Sequence, residues 1–567
     1  MEYVDSLKNK SSPIPFLTEN GVVLKMADST KVYVRTKSGL VRAMSPFDAL
    51  LLNIVCISFF SASIFAFQMT PLLFPGANVA AAFILAIIFS TPLYLTWGML
   101  ASSMPRSGGD YVFSSRLVHP ALAFIATFSA WVFWQWWYQG TFPMQITFQS
   151  IAPFLTKLAI VTGNMSYMQA GAWTTSTTGL LVIGVVLLVI ALLLAIPGIR
   201  FYALIQRAMF ILAGLAVLAL LYVLVVSTPE TFANNLNHLL TQATGENIDW
   251  YHTIIEAAAT AGYAKTEINL YDTLGTVPVT MMCMGYGFWS IMVMGEVKEA
   301  RSAKLVNYSI LGSVAITGIF FAILYALMTK VAGYDFYNAF FYLYMVADPI
   351  MAKIPFTPNY MFLGMVVSPN IAFDFIIALG SALNVFNLMI QMYIVGSRVM
   401  FAQTFDRILP EKLSHISTKY ISPVNAIIVY FFGSLIWLVI ASFNPLIYFY
   451  FTAVVLGVIL TYILDSVAGI VFPYKMKDTF EASPIAKYKI GGLPAIVLTG
   501  IGGLVFSMFL LYFYVTVPGL GLTNPTSIGI VLAVYVVLLV YYYAIRWYRQ
   551  KYQGINIDLA FKEIPPE

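Results

Sequence analysis

The chain has 567 residues, 60% of them hydrophobic and 10% charged, with a mean hydropathy of +0.82 and a net charge of +5. Soluble domains carry about 25% charged residues, so an ordinary soluble protein is excluded and a multi-pass membrane protein is expected. Cys56 and Cys283, the two cysteines, both sit in apolar segments. That excludes a disulfide framework and reads as two small buried side chains rather than a metal or redox pair.

Residues 1–44 read as a polar tail with no cleavable signal peptide. Within it, Val22-Val23-Leu24 and Val32-Tyr33-Val34 are expected to pair as a short hairpin across Ala27-Asp28-Ser29-Thr30. Apolar runs of about 20 residues cross a bilayer. About twelve follow, near 48–70, 78–103, 120–143, 179–196, 202–227, 276–295, 305–330, 371–397, 422–443, 446–472, 493–517 and 526–547. The long loop at 228–275 is expected to hold a small helix near 250–261. The loop at 331–370, rich in Phe and Tyr, either packs over the outer mouth or forms an interfacial aromatic belt. Residues 548–567 read as a charged tail.

Loop charge orients these spans. With the N-terminus inside, Arg106, Arg116, Arg200, Lys298, Arg301, Arg398, Arg407, Lys475 and Arg546 share its side, and the outside keeps only Lys157, Lys265, Lys330 and Lys353. Both termini are therefore expected in the cytoplasm, with the protein in the cytoplasmic membrane. The same bias explains the net charge without a nucleic-acid partner.

Two spans carry the same interruption. Ser61-Ala62-Ser63-Ile64-Phe65 breaks the first and Gly285-Tyr286-Gly287-Phe288-Trp289 breaks the sixth, each reading small, any, small, bulky apolar, aromatic. Backbone groups freed by an unwound helix must be buried in protein or line a wet cavity. Paired interruptions in two halves of a chain point to the substrate site of a secondary transporter. Taken singly, the serines read as mid-helix residues bonding back to carbonyls, and the glycines as close-packing positions.

The stretch Pro105-Arg106-Ser107-Gly108-Gly109-Asp110-Tyr111 at the end of the second span resembles amino-acid permeases of the amino acid–polyamine–organocation (APC) family. Gly295-Glu296-Val297-Lys298-Glu299-Ala300-Arg301 and Ser397-Arg398-Val399-Met400-Phe401-Ala402 are similar to that family's ends of helices six and eight. The resemblance covers about residues 40–545. It implies an all-α integral membrane protein of about twelve transmembrane helices in the LeuT-like/APC fold, with discontinuous helices one and six. It further implies inverted five-helix repeats at about 45–227 and 276–472, two extra helices at about 493–547, and carriage of an amino acid or related amine by alternating access. Three departures stand out: serines replace the glycines of helix one, Thr96 stands where many members have glutamate, and helix five at 203–227 has no interior lysine.

The breaks themselves suggest chemistry. The outer half of helix one starts near mid-membrane with free amides and a positive dipole end, so Ser61, Ala62, Ser63, Ile64 and Phe65 are expected to hold a carboxylate. The outer half of helix six ends there with free carbonyls, so Cys283, Met284 and Gly285 are expected to hold an ammonium group. Together they describe a zwitterionic amino acid. Gly287, Phe288, Trp289, Trp134 and Asn384 are gate or pocket candidates, with Gln135 the alternative to Trp134 because the helical phase is open. Asn384 and Asn387 either face the ligand or bond between helices. Asp374 lies close enough to the boundary to reach water. Asp465 is deeper and is the candidate proton relay.

Neither a His-Glu-x-x-His pair, a nucleophile elbow nor a phosphate loop occurs, so no enzyme, metal or cofactor is expected. Gly285-Tyr286-Gly287 imitates a potassium filter, but a filter needs several copies around one axis. The expectation is an amino-acid carrier in a lipid bilayer, coupled to H+ or Na+ or working as an exchanger. A polyamine or organic-cation carrier, and a channel or non-transporting receptor, are the other readings. Substrate and oligomeric state are not read from the sequence.

Overall fold

The structure is a computed structural model that describes residues 16–18, 21–25, 31–34, 39–61, 63–444, 454–520 and 524–565; of 16–34, 63 and 454–456 only the backbone is described. In the tail, β1 (Phe16–Thr18), β2 (Gly21–Lys25) and β3 (Lys31–Val34) form an antiparallel sheet. Val22 faces Val34 and Leu24 faces Val32, the expected hairpin; its turn lies outside the described residues.

The rest is helical. In chain order the main elements are α1 (Pro46–Ile57), α2 (Ser63–Leu73), α3 (Val79–Ser103), α4 (Gly109–Leu117), α5 (Pro120–Thr162), α6 (Thr177–Ala195), α7 (Ile199–Val226), α8 (Pro229–Thr244) and α9 (Trp250–Thr260). They continue as α10 (Leu270–Met284), α11 (Ala303–Ala332), α12 (Tyr334–Met345), α13 (Tyr360–Val366), α14 (Ile371–Phe405), α15 (Val424–Phe443), α16 (Val454–Lys475), α17 (Ala495–Thr516) and α18 (Pro525–Gln553). Among the described residues ten helices are long and apolar enough to cross a bilayer: α3, α5, α6, α7, α11 and α14 to α18. The first and sixth expected spans are interrupted instead. One is split into α1 and α2; the other is α10 followed by the 3-10 turns Trp289–Met292 and Met294–Glu296.

Local sequence explains the ends. Ser45 and Asp48 form a reciprocal capping box with Pro46 at the first helical position, and Asp48 also takes two bonds from Arg207, at 2.6 and 2.8 Å. At α3, α6, α10, α11, α13 and α14 the side chains of Asn78, Ser176, Asn269, Ser302, Asn359 and Asn370 each accept from an amide of the first turn. α11 packs along α3, α7 along α14 and α16 along α17, and α1 runs against α7, α11 and α14.

One face of the bundle carries both tails. There Met44 bridges Val297, Ser107 bridges Val293, and the Gly108 amide donates to Met292 at 2.8 Å. Two buried ion pairs lie beside these bridges. Arg398 forks onto Glu296 at 2.8 and 3.1 Å, and Arg116 forks onto Asp406 at 2.6 and 2.8 Å. The C-terminal residues pack on this face: α18 runs on to Gln553, and Arg106 and Arg116 donate to the carbonyls of Pro565 and Glu563.

The other face carries α8, α9, α12 and α13. α9 matches the small helix read from the sequence, and α8 was not foreseen. The 331–370 loop packs over α2: Tyr337 donates to the Phe67 carbonyl at 3.2 Å, and Gln68 donates to the Pro358 carbonyl. Asp374 does not reach water. It is buried, paired with Lys157 at 2.9 Å, and accepts from Ser368. Its partner is contributed by α5, far away in sequence.

Removing one partner of a buried pair strands a charge and costs about 3–5 kcal/mol. Arg398→Met is therefore expected to lower the unfolding free energy by about that amount, and Arg398→Met with Glu296→Met to recover most of it. Denaturation of the purified variants in detergent checks this; losses that simply add would contradict a paired contribution.

Candidate functional site

The first break begins at Ser58, whose φ of 60° and ψ of 124° end α1. A non-glycine residue at positive φ is uncommon and needs support from its surroundings. Here the Ser58 hydroxyl donates to Asn384 Oδ1 on α14 at 2.6 Å, and the Phe60 amide donates to Ser58 Oγ at 3.3 Å. The Phe59 carbonyl accepts from the Tyr360 hydroxyl of α13. Ser61 does not bond back to its own helix; its hydroxyl donates to Gln145 Oε1 on α5 at 2.6 Å. The Ile64 amide donates to the Ser61 carbonyl at 3.0 Å. Ala62 lies outside the described residues, and Ser63 enters only as the start of α2. Ile64 is buried and Phe65 partly so.

The second break follows Met284, the last residue of α10. Freed carbonyls are met by hydroxyls from other helices: Tyr94 donates to Met284 at 2.5 Å, Tyr462 to Gly285 at 2.6 Å, and Ser313 to Gly287 at 3.1 Å. The Cys283 thiol donates to the Thr280 carbonyl at 3.1 Å. Two of the expected ammonium acceptors, the carbonyls of Met284 and Gly285, thus already hold tyrosine hydroxyls. The glycines are needed for close approach. A Cβ at Gly285 would stand 2.6 Å from the Met281 carbonyl oxygen, and one at Gly287 would stand 2.8 Å from Val314 and 2.9 Å from Ile57.

The two breaks are tied to each other. Asn53 on α1 donates to Ser290 Oγ at 3.0 Å and accepts from the Ser290 amide at 2.8 Å. Between them lies a cavity of about 20 Å3, lined by Cys56 and Ser61 from the first segment and Tyr286 and Trp289 from the second. Gln135, Tyr138 and Phe142 of α5 and Leu388 and Met392 of α14 complete its wall. All nine residues are buried and none is charged. That volume admits about one water molecule, so the cavity is closed to anything the size of an amino acid. A larger cavity, about 550 Å3, lies elsewhere, between Phe148 and Thr156 of α5 and Tyr344 and Phe356 of the 331–370 loop.

The other candidates are distributed around this cavity. Trp289 is in its wall, and Gly287 lies behind it. Trp134 is not in the wall: its ring packs on Gly457 of α16, and Gln135 faces the cavity instead. The π turn at Ser129–Phe133 inserts an extra residue into the helix and rotates the following residues, which sequence periodicity does not register. Phe288 is not at the cavity either; it stacks on Trp97 at 3.7 Å and 12°. Asn384 is engaged by Ser58. Asp465 is buried on α16 and accepts from Trp97 Nε1 at 2.8 Å and Ser114 Oγ at 2.5 Å. Asp110, one helical turn before Ser114 on α4, accepts from Trp131 Nε1. Asn53, Gln145, Tyr94, Tyr462 and Asp110 were missed as site residues. The signal for Asn53 was a polar side chain inside an apolar run; Gln145 lies just past the third run as read from the sequence, because α5 continues to Thr162.

Gly285→Leu is expected to abolish uptake into proteoliposomes while the purified protein keeps its helical circular dichroism and elution volume. Normal uptake by that variant would contradict the need for close approach at the second break.

No curated protein matches the chain. A family model described as amino acid permease matches residues 48–540, a span that includes both breaks, the cavity wall and every long helix but the end of α18. The chain belongs to the amino acid permease family of the APC superfamily, a family of membrane transporters.

Proposed function

We propose that this chain is a secondary active transporter that moves amino acids across the cytoplasmic membrane by alternating access, with both termini in the cytoplasm. The observation that carries the reading is the closed, uncharged cavity between two broken helices, completed by five side chains from α5 and α14. A neutral cavity suits a zwitterion whose own charges meet helix ends, and it disfavours a polyamine, whose extra charges would be buried without partners. The serine break, from Ser61 to Phe65, is the proposed carboxylate end. The end of α10, at Cys283, Met284 and Gly285, is the proposed ammonium end, with the Tyr94 and Tyr462 hydroxyls yielding to substrate. Trp289 belongs to the moving wall, and Gly287 permits the close packing behind it.

Closure at both faces supports alternating access. The Glu296–Arg398 and Arg116–Asp406 pairs hold the tail face, and Tyr360 on the Phe59 carbonyl holds the other. Opening one face requires breaking its set while the other stays shut. Coupling is proposed to be protonic or by exchange. Asp465 has no cation among its hydrogen-bond donors, Trp97 and Ser114, and Trp97 in turn stacks on Phe288 at the second break. A proton gained or lost by that carboxyl changes a bond to the ring against which the broken helix rests.

Proteoliposomes with one gradient imposed at a time test this. Uptake of a neutral amino acid is expected with an inward proton gradient, to collapse with a proton ionophore, and to lose its proton dependence in Asp465→Asn. Uptake driven by sodium alone, unchanged by the ionophore and by Asp465→Asn, would contradict protonic coupling.

A further inference from the structure

Most polar groups around the cavity are satisfied within the protein, and two that are not lie in the wall itself. Gln135 is 1% exposed and its Nε2 donates to the Ala130 carbonyl at 3.0 Å, within the π turn. That bond fixes which end of the amide is which, and it leaves Oε1 buried with no hydrogen-bond partner among the described residues. Trp289, also 1% exposed, keeps its Nε1 proton buried and unmatched in the same way. The wall thus holds one orphan acceptor, on α5, and one orphan donor, beside the second break. Of the remainder, Ser61 spends its hydroxyl proton on Gln145, and Cys56, Phe142, Leu388, Met392 and two tyrosines complete the lining; Tyr138 meets Tyr286 edge-on at 6.2 Å, and Tyr286 meets Trp289 edge-on at 5.7 Å.

A buried polar group left unpaired is costly, and a site that keeps such groups selects the ligand that pairs them. We infer that Gln135 and Trp289 read the substrate's side chain, and that the preferred substrate is an amino acid bearing a primary carboxamide, such as glutamine or asparagine; this rests on the transporter reading above. A carboxamide brings N–H to Gln135 Oε1 and C=O to Trp289 Nε1. An aliphatic side chain leaves both orphans unmatched. A carboxylate presents only acceptors to Gln135 Oε1, and an ammonium or guanidinium presents only donors to Trp289 Nε1. Either charged group is also buried without a counter-charge, since no wall residue is charged. The backbone groups at the two breaks meet the part common to all amino acids, whereas these two side chains stand where substrates differ.

The test compares glutamine with methionine, its near-isostere without hydrogen-bonding ends, and with glutamate, in uptake by the full-length protein in proteoliposomes and in ligand-induced thermal shift. The wild type is expected to prefer glutamine over methionine by about 10- to 100-fold in kcat/KM and to reject glutamate more strongly. Gln135→Met is expected to bring the glutamine-to-methionine ratio to about one, and Trp289→Phe to lower it by about 10-fold. Methionine used as well as glutamine by the wild type would overturn the inference and leave the transporter reading standing; that comparison needs no variant to fold. Equal loss of both substrates in Gln135→Met would overturn it too, by assigning Gln135 to the common part. If no amino acid were carried or bound, the transporter reading itself would fall, and the inference with it.

Discussion

Everything at the centre of this protein follows from one constraint: a helix broken in hydrocarbon must have its freed backbone groups satisfied by something other than water. The first and sixth segments are both broken, and the caps come from across the bundle. Asn384 supports Ser58, Tyr360 meets the Phe59 carbonyl, and Tyr94 and Tyr462 meet the carbonyls of Met284 and Gly285. Each cap is a single hydroxyl or amide on a separate helix. Each bond joins a broken segment to its neighbours around the small cavity.

The tail face obeys the same logic with charges. On the tail face, short backbone bridges at Met44–Val297 and Ser107–Val293 run beside two fully buried ion pairs. Buried pairs are weak sources of net stability but strong determinants of geometry, because separating them is costly unless water arrives. The C-terminal residues reinforce the closed arrangement, since Arg116 lies over the Phe561 ring at 5.3 Å while it holds Asp406. Asn53, bonded both ways to Ser290, links the two broken segments, so a shift of one pulls on the other.

Much of this was legible in the sequence because it rests on local pattern. Long apolar runs gave the spans, and the repeated small-any-small-bulky-aromatic string marked both interruptions. The Pro105–Tyr111 string carried the family. What was not legible depends on partners distant in sequence or on helical phase. The Lys157–Asp374 pair joins residues more than two hundred positions apart, so Asp374 was read as reaching water. The π turn at Ser129–Phe133 moves Gln135 to the cavity and Trp134 to α16, a rotation that a count of 3.6 residues per turn does not foresee. Phe288 was read as a gate because it is an aromatic beside the break, but it stacks on Trp97, from another helix, and is not in the cavity wall. The tyrosine caps were hidden for the same reason: Tyr94 and Tyr462 are unremarkable inside their own apolar segments.

The claim at the centre is that the two breaks form one substrate site. The most direct measurement is an experimental density map of the full chain with a transported amino acid bound. The ligand is expected between Ser61 and Trp289, in an enlarged form of the small cavity, with the Tyr94 or Tyr462 hydroxyl moved off the α10 carbonyls. A ligand seated only in the larger cavity between α5 and the 331–370 loop, with both breaks and their tyrosine caps unchanged, would contradict it.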